Sequence, residues 1–159
     1  MVFILAVFLV YAVGCYVDIS PYGSFAGCPL ANHIFFSFIH LNPIHLCLNC
    51  SIFAFYWFSF LRRTRLWLTV PVVVLSTVAA SFASASDVPT VGLSACVMAM
   101  AGLLSSVVAL RPMLKTITLV LISGCVTYFF APAVNTPIHL WSYFLALVCG
   151  LLLRRKMHG

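Results

Sequence analysis

The sequence predicts an all-α membrane protein, a bundle of six transmembrane helices, and three observations support this. Hydrophobic residues make up 64% of the 159 residues and charged residues only 6%, whereas a soluble domain carries about 25% charged residues. The apolar runs are about 16–20 residues long, which suits helices, because the strands of a membrane barrel would alternate over about 10 residues. The basic residues fall in three clusters, each of which ends an apolar run.

These basic clusters predict the orientation of the chain. Basic residues flank membrane helices on the cytoplasmic side, so six crossings place all three clusters and both termini in the cytoplasm of a cell-membrane protein. Asp18 and Asp87 then lie outside. The net charge of +6 therefore reflects topology in a lipid bilayer and does not indicate nucleic-acid binding. The clusters are Arg62, Arg63 and Arg65; Arg111 and Lys115; and Arg154, Arg155 and Lys156.

Proline and capping residues set the predicted helix starts. Asn42-Pro43 and Thr136-Pro137 each place a capping residue before a proline that has no amide hydrogen to lose. The run 1–17 has no basic amino-terminal region and no small-residue cleavage site, so a helix is favoured there over a signal peptide. The predicted helices span residues 1–17, 43–61, 66–85, 93–110, 116–131 and 137–153, in one domain, 1–159.

Three segments connect these helices in the prediction. The long outer loop, 18–42, is rich in Phe and is expected to lie partly in the membrane interface. Arg111–Lys115 is predicted to be a cytoplasmic turn, and Pro132 to stop the fifth helix, because proline cannot donate a helical hydrogen bond.

Four polar residues on three of the predicted helices lie at nearly the same depth. At about 1.5 Å of rise per residue, His45 and Ser94 lie roughly 26 Å from the basic cluster that ends their own helix. By the same measure His139 lies roughly 22 Å and Asn49 roughly 20 Å from theirs. Polar side chains inside a bilayer usually mark function or bonds between helices. Their common depth favours one shared site just below the outer face.

The chemistry of this set suits hydrolysis by a serine nucleophile. A serine hydroxyl needs a base, and histidine has a suitable pKa for that work. The backbone amides that open the fourth predicted helix, near Ser94, are free to stabilise an oxyanion, and His45 and Asn49 on one helix face add donors. Because Asp87 lies in a loop, a Ser–His dyad is favoured over a triad, with no cofactor and no metal.

Small residues favour close approach of the two helices that carry the serine and His139. Such stripes let membrane helices pack backbone to backbone, which would bring His139 to Ser94. The stripes are Ala95, Ala99 and Gly102 on the fourth predicted helix, and Ser142, Ala146 and Gly150 on the sixth.

At these residues the chain resembles the rhomboid family of intramembrane serine proteases, whose six-helix core it matches in order and topology. The resemblance implies that Ser94 is the nucleophile and His139 its general base. It also implies that His45, Asn49 and the Ser94 amide form the oxyanion hole. The matching motifs are His40, His45 and Asn49; Gly92-Leu93-Ser94-Ala95; and His139.

The resemblance has further implications for the surrounding residues. His40 would support the site, and Gly92 would permit the turn into the helix of Ser94. The substrates would be transmembrane protein segments, cleaved near their outer end. The loop 132–137 would act as a mobile cap, and the fifth predicted helix as the substrate gate.

The chain also departs from the family pattern. Ala95 follows the serine where glycine is usual, and Met98 stands where an aromatic residue is common. Ser142 and Ala146 replace glycines. These residues remain small or apolar, so the rate is in question more than the activity. A catalytically inactive, client-binding relative is an alternative, although such relatives typically lose the serine or the histidine.

Two other functions remain open on the sequence. Cys47 and Cys50 form a C-x-x-C pair, which can be redox active in a membrane thiol oxidoreductase. The second alternative is a metal transporter, because histidine and thiolate bind zinc or copper. Its ligands would be His33, His40, His45 and cysteines. A Cys15–Cys28 disulfide is also possible in the outer loop region.

Overall fold

The computed structural model of the chain describes residues 2–40, 42–61, 64–84, 87, 89–131 and 133–157. Across these residues the fold is all-helical, and its one antiparallel bridge, between Ser24 and Thr90, is isolated. This confirms the predicted all-α class. The helices are α1 (Val2–Gly14), α2 (Leu30–Phe35), α3 (Pro43–Leu61), α4 (Leu66–Ala83), α5 (Ser94–Val107), α6 (Leu110–Phe130) and α7 (Thr136–Met157), with 3-10 turns at Ser20–Tyr22 and Phe36–Phe38.

The number of membrane crossings is lower than predicted when judged by helix length. Among the described residues, α4, α6 and α7 are long and apolar enough to span a bilayer. The segments Leu30–Phe38 and Pro43–Ser59 meet at 88° and together would count as a fourth, broken span. Helices α1 and α5 have 13 and 14 residues, short of the roughly 20 that a span needs. Six crossings therefore stay a prediction.

The predicted turn at Arg111–Lys115 is wrong. Helix α6 already begins at Leu110 and runs through both residues, so the connection from α5 is only 108–109. Pro112 sits in the first helical turn, where an amide has no intrahelical partner and proline is tolerated. Arg62, Arg63 and Pro132, which entered the other predictions, lie outside the described residues.

The predicted loop 18–42 contains helical structure and packs against the bundle. Helix α2 and the turn Phe36–Phe38 both lie within it, and Phe36 is fully buried. The side-chain amide of Asn32 donates to the carbonyls of Pro21 (2.8 Å) and Gly23 (2.9 Å), which closes the loop on itself. The loop thereby becomes a folded layer on the end of the bundle that carries Ser94.

One of the two predicted helix caps is confirmed. The side chain of Asn42 accepts a hydrogen bond from the backbone N–H of His45 at 2.8 Å, which caps α3. At the start of α7 the capping residue is Asn135 and not Thr136, because Asn135 Oδ1 accepts from the N–H of Ile138. Thr136 is already the first helical residue.

Helices α5 and α7 form the core of the molecule and pack against each other more extensively than any other described pair. A Cβ atom at Gly102 would overlap the backbone of Tyr143, and one at Gly150 would overlap the side chain of Ser106. At the far end, Arg154 donates to the carbonyl of Val108. The two small-residue stripes are buried in this contact, as predicted.

We expect Gly102→Ala to destabilise the protein by about 1–3 kcal/mol, the usual cost of overpacking. The added methyl group would overlap the main chain of Tyr143, which cannot move aside as a flexible side chain could. Thermal unfolding in detergent measures the loss. Ser142→Ala is the matched control: its buried hydroxyl has no partner among the described residues, so its removal should leave the melting temperature unchanged or higher. Equal melting temperatures for the Gly102 variant and the wild type would contradict the close contact.

Candidate active site

Ser94 and His139 meet at one end of the α5–α7 contact. Ser94 is the first residue of α5 and His139 lies in the first turn of α7. The Ser94 Oγ to His139 Nε2 distance is 2.7 Å, a short hydrogen bond. Both side chains are half-buried. A hydroxyl held this way against an imidazole nitrogen is able to lose its proton as it attacks.

The turn that leads into Ser94 depends on a glycine. Gly92 has φ of +114°, a conformation that residues with side chains rarely adopt. A Cβ atom there would lie 2.6 Å from His45 Cε1 and 3.5 Å from Asn49 Nδ2. The missing side chain therefore permits the turn and also lets the two α3 side chains lie directly against it.

The loop layer holds this turn from the other side. The N–H of Gly92 donates to the carbonyl of Phe36 at 3.0 Å. Just upstream, Ser24 and Thr90 exchange two backbone hydrogen bonds, at 2.9 and 2.7 Å. The approach to Ser94 is thus fixed by main-chain bonds to the folded loop.

His40 connects the loop, α3 and the turn. Its Nε2 atom lies 3.3 Å from the N–H of Leu93 and 3.3 Å from the side-chain nitrogen of Asn49. A backbone N–H only donates, so Nε2 is the unprotonated nitrogen, and Nδ1–H faces the carbonyl of Phe38 at 3.4 Å. The His40 ring also packs on His45, with 5.1 Å between ring centroids. His40 is buried, which suits a positioning role.

Backbone donors are available where the chemistry would need them. The first hydrogen bond that closes α5 runs from the N–H of Val97 to the carbonyl of Leu93 at 3.0 Å. The amides of Ser94, Ala95 and Cys96 precede it, at the positive end of the helix dipole. The arrangement can stabilise an oxyanion that forms next to Ser94 Oγ.

Asn135 and Thr90 were missed by the sequence reasoning. Asn135 caps α7, which carries His139, and its side-chain nitrogen donates to Thr90 Oγ1 at 2.8 Å. One amide side chain therefore links the start of α7, which carries His139, to the segment that leads from Thr90 to Ser94. The available signal was an asparagine directly before Thr136-Pro137, but its second partner is distant in sequence.

An apolar cavity of about 520 Å³ lies between α6 and α7, beside the segment that carries His139. Its lining includes Leu140, Trp141 and Phe144 from α7. Helix α6 approaches α7 closely at Gly124, the one buried residue of Leu110–Phe130, where a Cβ atom would lie 3.0 Å from the Leu140 side chain. The rest of α6 is largely exposed.

The structure does not bring together the residues of the alternative metal and disulfide sites. No group of three or more His, Cys, Asp or Glu side chains suited to a metal occurs within the described part of the chain. Cys47 is exposed and Cys50 is buried, and both are free thiols. Cys15 and Cys28 are also free thiols, so the possible disulfide between them is not formed.

Comparison with known proteins agrees with the fold. A family model described as the rhomboid domain matches residues 29–157, most of the chain. The matched segment contains α2 to α7 and both Ser94 and His139. No curated protein matches the sequence. The chain is an integral membrane protein, and it belongs to the rhomboid family.

Proposed function

We propose that the chain is an intramembrane serine endopeptidase that cleaves transmembrane segments of membrane proteins near the outer membrane face. The observation that carries the proposal is the 2.7 Å contact between Ser94 Oγ and His139 Nε2. Membership of a family of intramembrane proteases supports it. An inactive relative that only binds clients would have no need of this contact.

In the proposed mechanism His139 acts first as base and then as acid. Nε2 takes the proton of Ser94 as Oγ attacks the scissile carbonyl. His139 then gives that proton to the leaving amine, and an acyl-enzyme forms on Ser94. Water activated by the same imidazole attacks the ester and releases the second product. Asp87 is exposed at the surface, so the pair works as a dyad.

The oxyanion of the tetrahedral intermediate is proposed to bind in the space enclosed by Gly92, His45 and Asn49. The Ser94 N–H supplies a backbone donor, and the side chains of His45 and Asn49 supply two more. Donors fixed in place before the reaction stabilise developing charge without having to reorganise. The contacts of His40 with Leu93 and Asn49 hold two parts of this space together.

The short length of α5 supports a recessed site. Its 14 residues span about 21 Å, less than the roughly 30 Å hydrocarbon core. With its Val107 end at the basic, cytoplasmic side, Ser94 would lie below the outer surface. Water would then reach it through an opening to the outside.

Substrate entry is proposed to involve α6 and the short connection to α7. Thr136 and Pro137 of the predicted cap loop 132–137 already belong to α7, so the proposed cap is limited to the residues before Thr136. Helix α6 has few buried residues, so displacing it costs little packing. The apolar cavity beside Leu140 and Trp141 offers space for an apolar segment against the helix that carries His139.

We expect Ser94→Ala and His139→Ala each to abolish cleavage of a reporter transmembrane substrate in liposomes. Each change removes one partner of the proton transfer. A fluorophosphonate probe should label the wild type and not Ser94→Ala. Unlabelled wild-type protein, or labelling that survives Ser94→Ala, would contradict the protease and favour a client-binding relative.

Cys47→Ala is the matched control for these variants. Its thiol is exposed on α3, so the change should leave the fold and the cleavage rate intact. If Cys47→Ala lost cleavage of the reporter substrate while Ser94→Ala kept it, the result would count against a serine nucleophile and favour chemistry at the thiol.

Asn49→Ala should lower kcat without abolishing cleavage. One lost oxyanion donor costs on the order of 10²–10³ in kcat, while binding of the substrate helix is expected to change little. Steady-state kinetics that separate kcat from KM, with thermal unfolding as the folding control, measure this. Unchanged kcat, or complete inactivity in a folded protein, would exclude the proposed role of Asn49.

A further inference from the structure

A second cluster of reactive side chains lies in the loop layer, separate from Ser94 and His139. Cys28 Sγ lies 3.3 Å from His33 Nε2. The other ring nitrogen, His33 Nδ1, lies 3.0 Å from Ser81 Oγ and 3.2 Å from Ser24 Oγ. His33 is buried with 6% of its surface exposed, whereas Cys28 is only half-buried.

The hydrogen bonds determine which nitrogen of His33 carries the proton. The hydroxyl of Ser81 donates to the carbonyl of Val78 at 2.7 Å, so its oxygen faces His33 as an acceptor. Nδ1 must therefore be the N–H, because a lone pair there would face the lone pairs of Ser81. In the neutral ring Nε2 is then the acceptor, and the thiol of Cys28 donates to it.

Two further contacts surround the Cys28–His33 pair. The N–H of Phe25 points at Cys28 Sγ from 3.4 Å, which stabilises negative charge on the sulfur. The ring of Phe82 stacks on His33 with 3.8 Å between centroids, and an aromatic face stabilises a cation. The thiolate is the nucleophilic form of cysteine.

We propose that Cys28 is a modification site for low-molecular-weight disulfides and that His33 is its base. The Cys28 thiolate attacks one sulfur of a disulfide RSSR. The new Cys28–SR bond forms as the S–S bond breaks, and RS⁻ leaves and takes the proton held by His33. One thiol is consumed and one is released, so the exchange needs no further oxidant. A reducing thiol reverses it.

The position of the cluster couples this modification to the proposed protease. Ser24 contacts His33 through its hydroxyl and holds Thr90 through two backbone bonds. Thr90 leads directly to the Gly92 turn and Ser94. A group added to Cys28 must displace the His33 contact, because only 3.3 Å separates the two atoms. We expect this to loosen the Ser24–Thr90 bridge and to lower cleavage activity.

The rate of adduct formation at each cysteine tests the site. The full chain in nanodiscs is exposed to bis(2-hydroxyethyl) disulfide, quenched with acid at short times, and mapped by peptide mass. Cys15, which is exposed, is the internal comparison. We expect Cys28 to react at least tenfold faster than Cys15, although it is less exposed, and His33→Asn to remove that advantage. A Cys28 rate equal to or below that of Cys15 overturns the site, and this readout does not depend on protease activity.

The coupling rests on the proposed function and has its own readout. Cleavage of the reporter substrate should fall several-fold in step with the Cys28 adduct and recover with dithiothreitol. Cys28→Ser, which is matched in size, should cleave the substrate at the wild-type rate, and the disulfide should not change that rate. Full adduct formation with unchanged cleavage overturns the coupling. If the protein never cleaves the substrate but the disulfide still modifies Cys28 rapidly, the result contradicts the proposed protease and supports the modification site.

Discussion

The backbone contact between α5 and α7 determines the geometry of the candidate site. Gly102 against Tyr143 and Gly150 against Ser106 leave no room for a side chain between the helices. At van der Waals contact, the relative height of the two helices is fixed along their whole length. The 2.7 Å distance between Ser94 and His139 follows from this contact. A larger residue in either small-residue stripe would therefore change the distance between Ser94 and His139 without contacting either side chain.

The Gly92 turn connects this helix pair to the folded loop. A positive φ and the absence of a Cβ allow the chain to turn into α5 with His45 and Asn49 against it. The N–H groups of Gly92 and Leu93 donate to the carbonyl of Phe36 and to His40 Nε2, and these bonds hold the turn. The loop layer is therefore part of the candidate site and not only a connection between α1 and α3.

Patterns carried by single helices were predictable from the sequence, and contacts between distant segments were not. Depth along a helix follows from counting residues, and this count predicted nearly the same depth for Ser94 and His139. The count for Ser94 used Arg111, which lies in α6 beyond the end of α5 at Val107. The error was small, because Val108 and Arg154 still meet at the same end. The Asn135–Thr90 bond depends on tertiary position, which no local pattern contains.

The scarcity of acidic residues explains why helix packing matters so much for the proposed Ser94–His139 dyad. Serine hydrolases commonly orient the histidine with a carboxylate, but the sequence has two acids, Asp18 near α1 and the exposed Asp87. In the proposed site, helix packing orients His139 instead. Asn135 fixes the start of that helix, and the small stripe fixes its distance from α5. Burying a carboxylate in a bilayer would be costly, so holding the proposed base by helix packing suits the proposed site below the membrane surface.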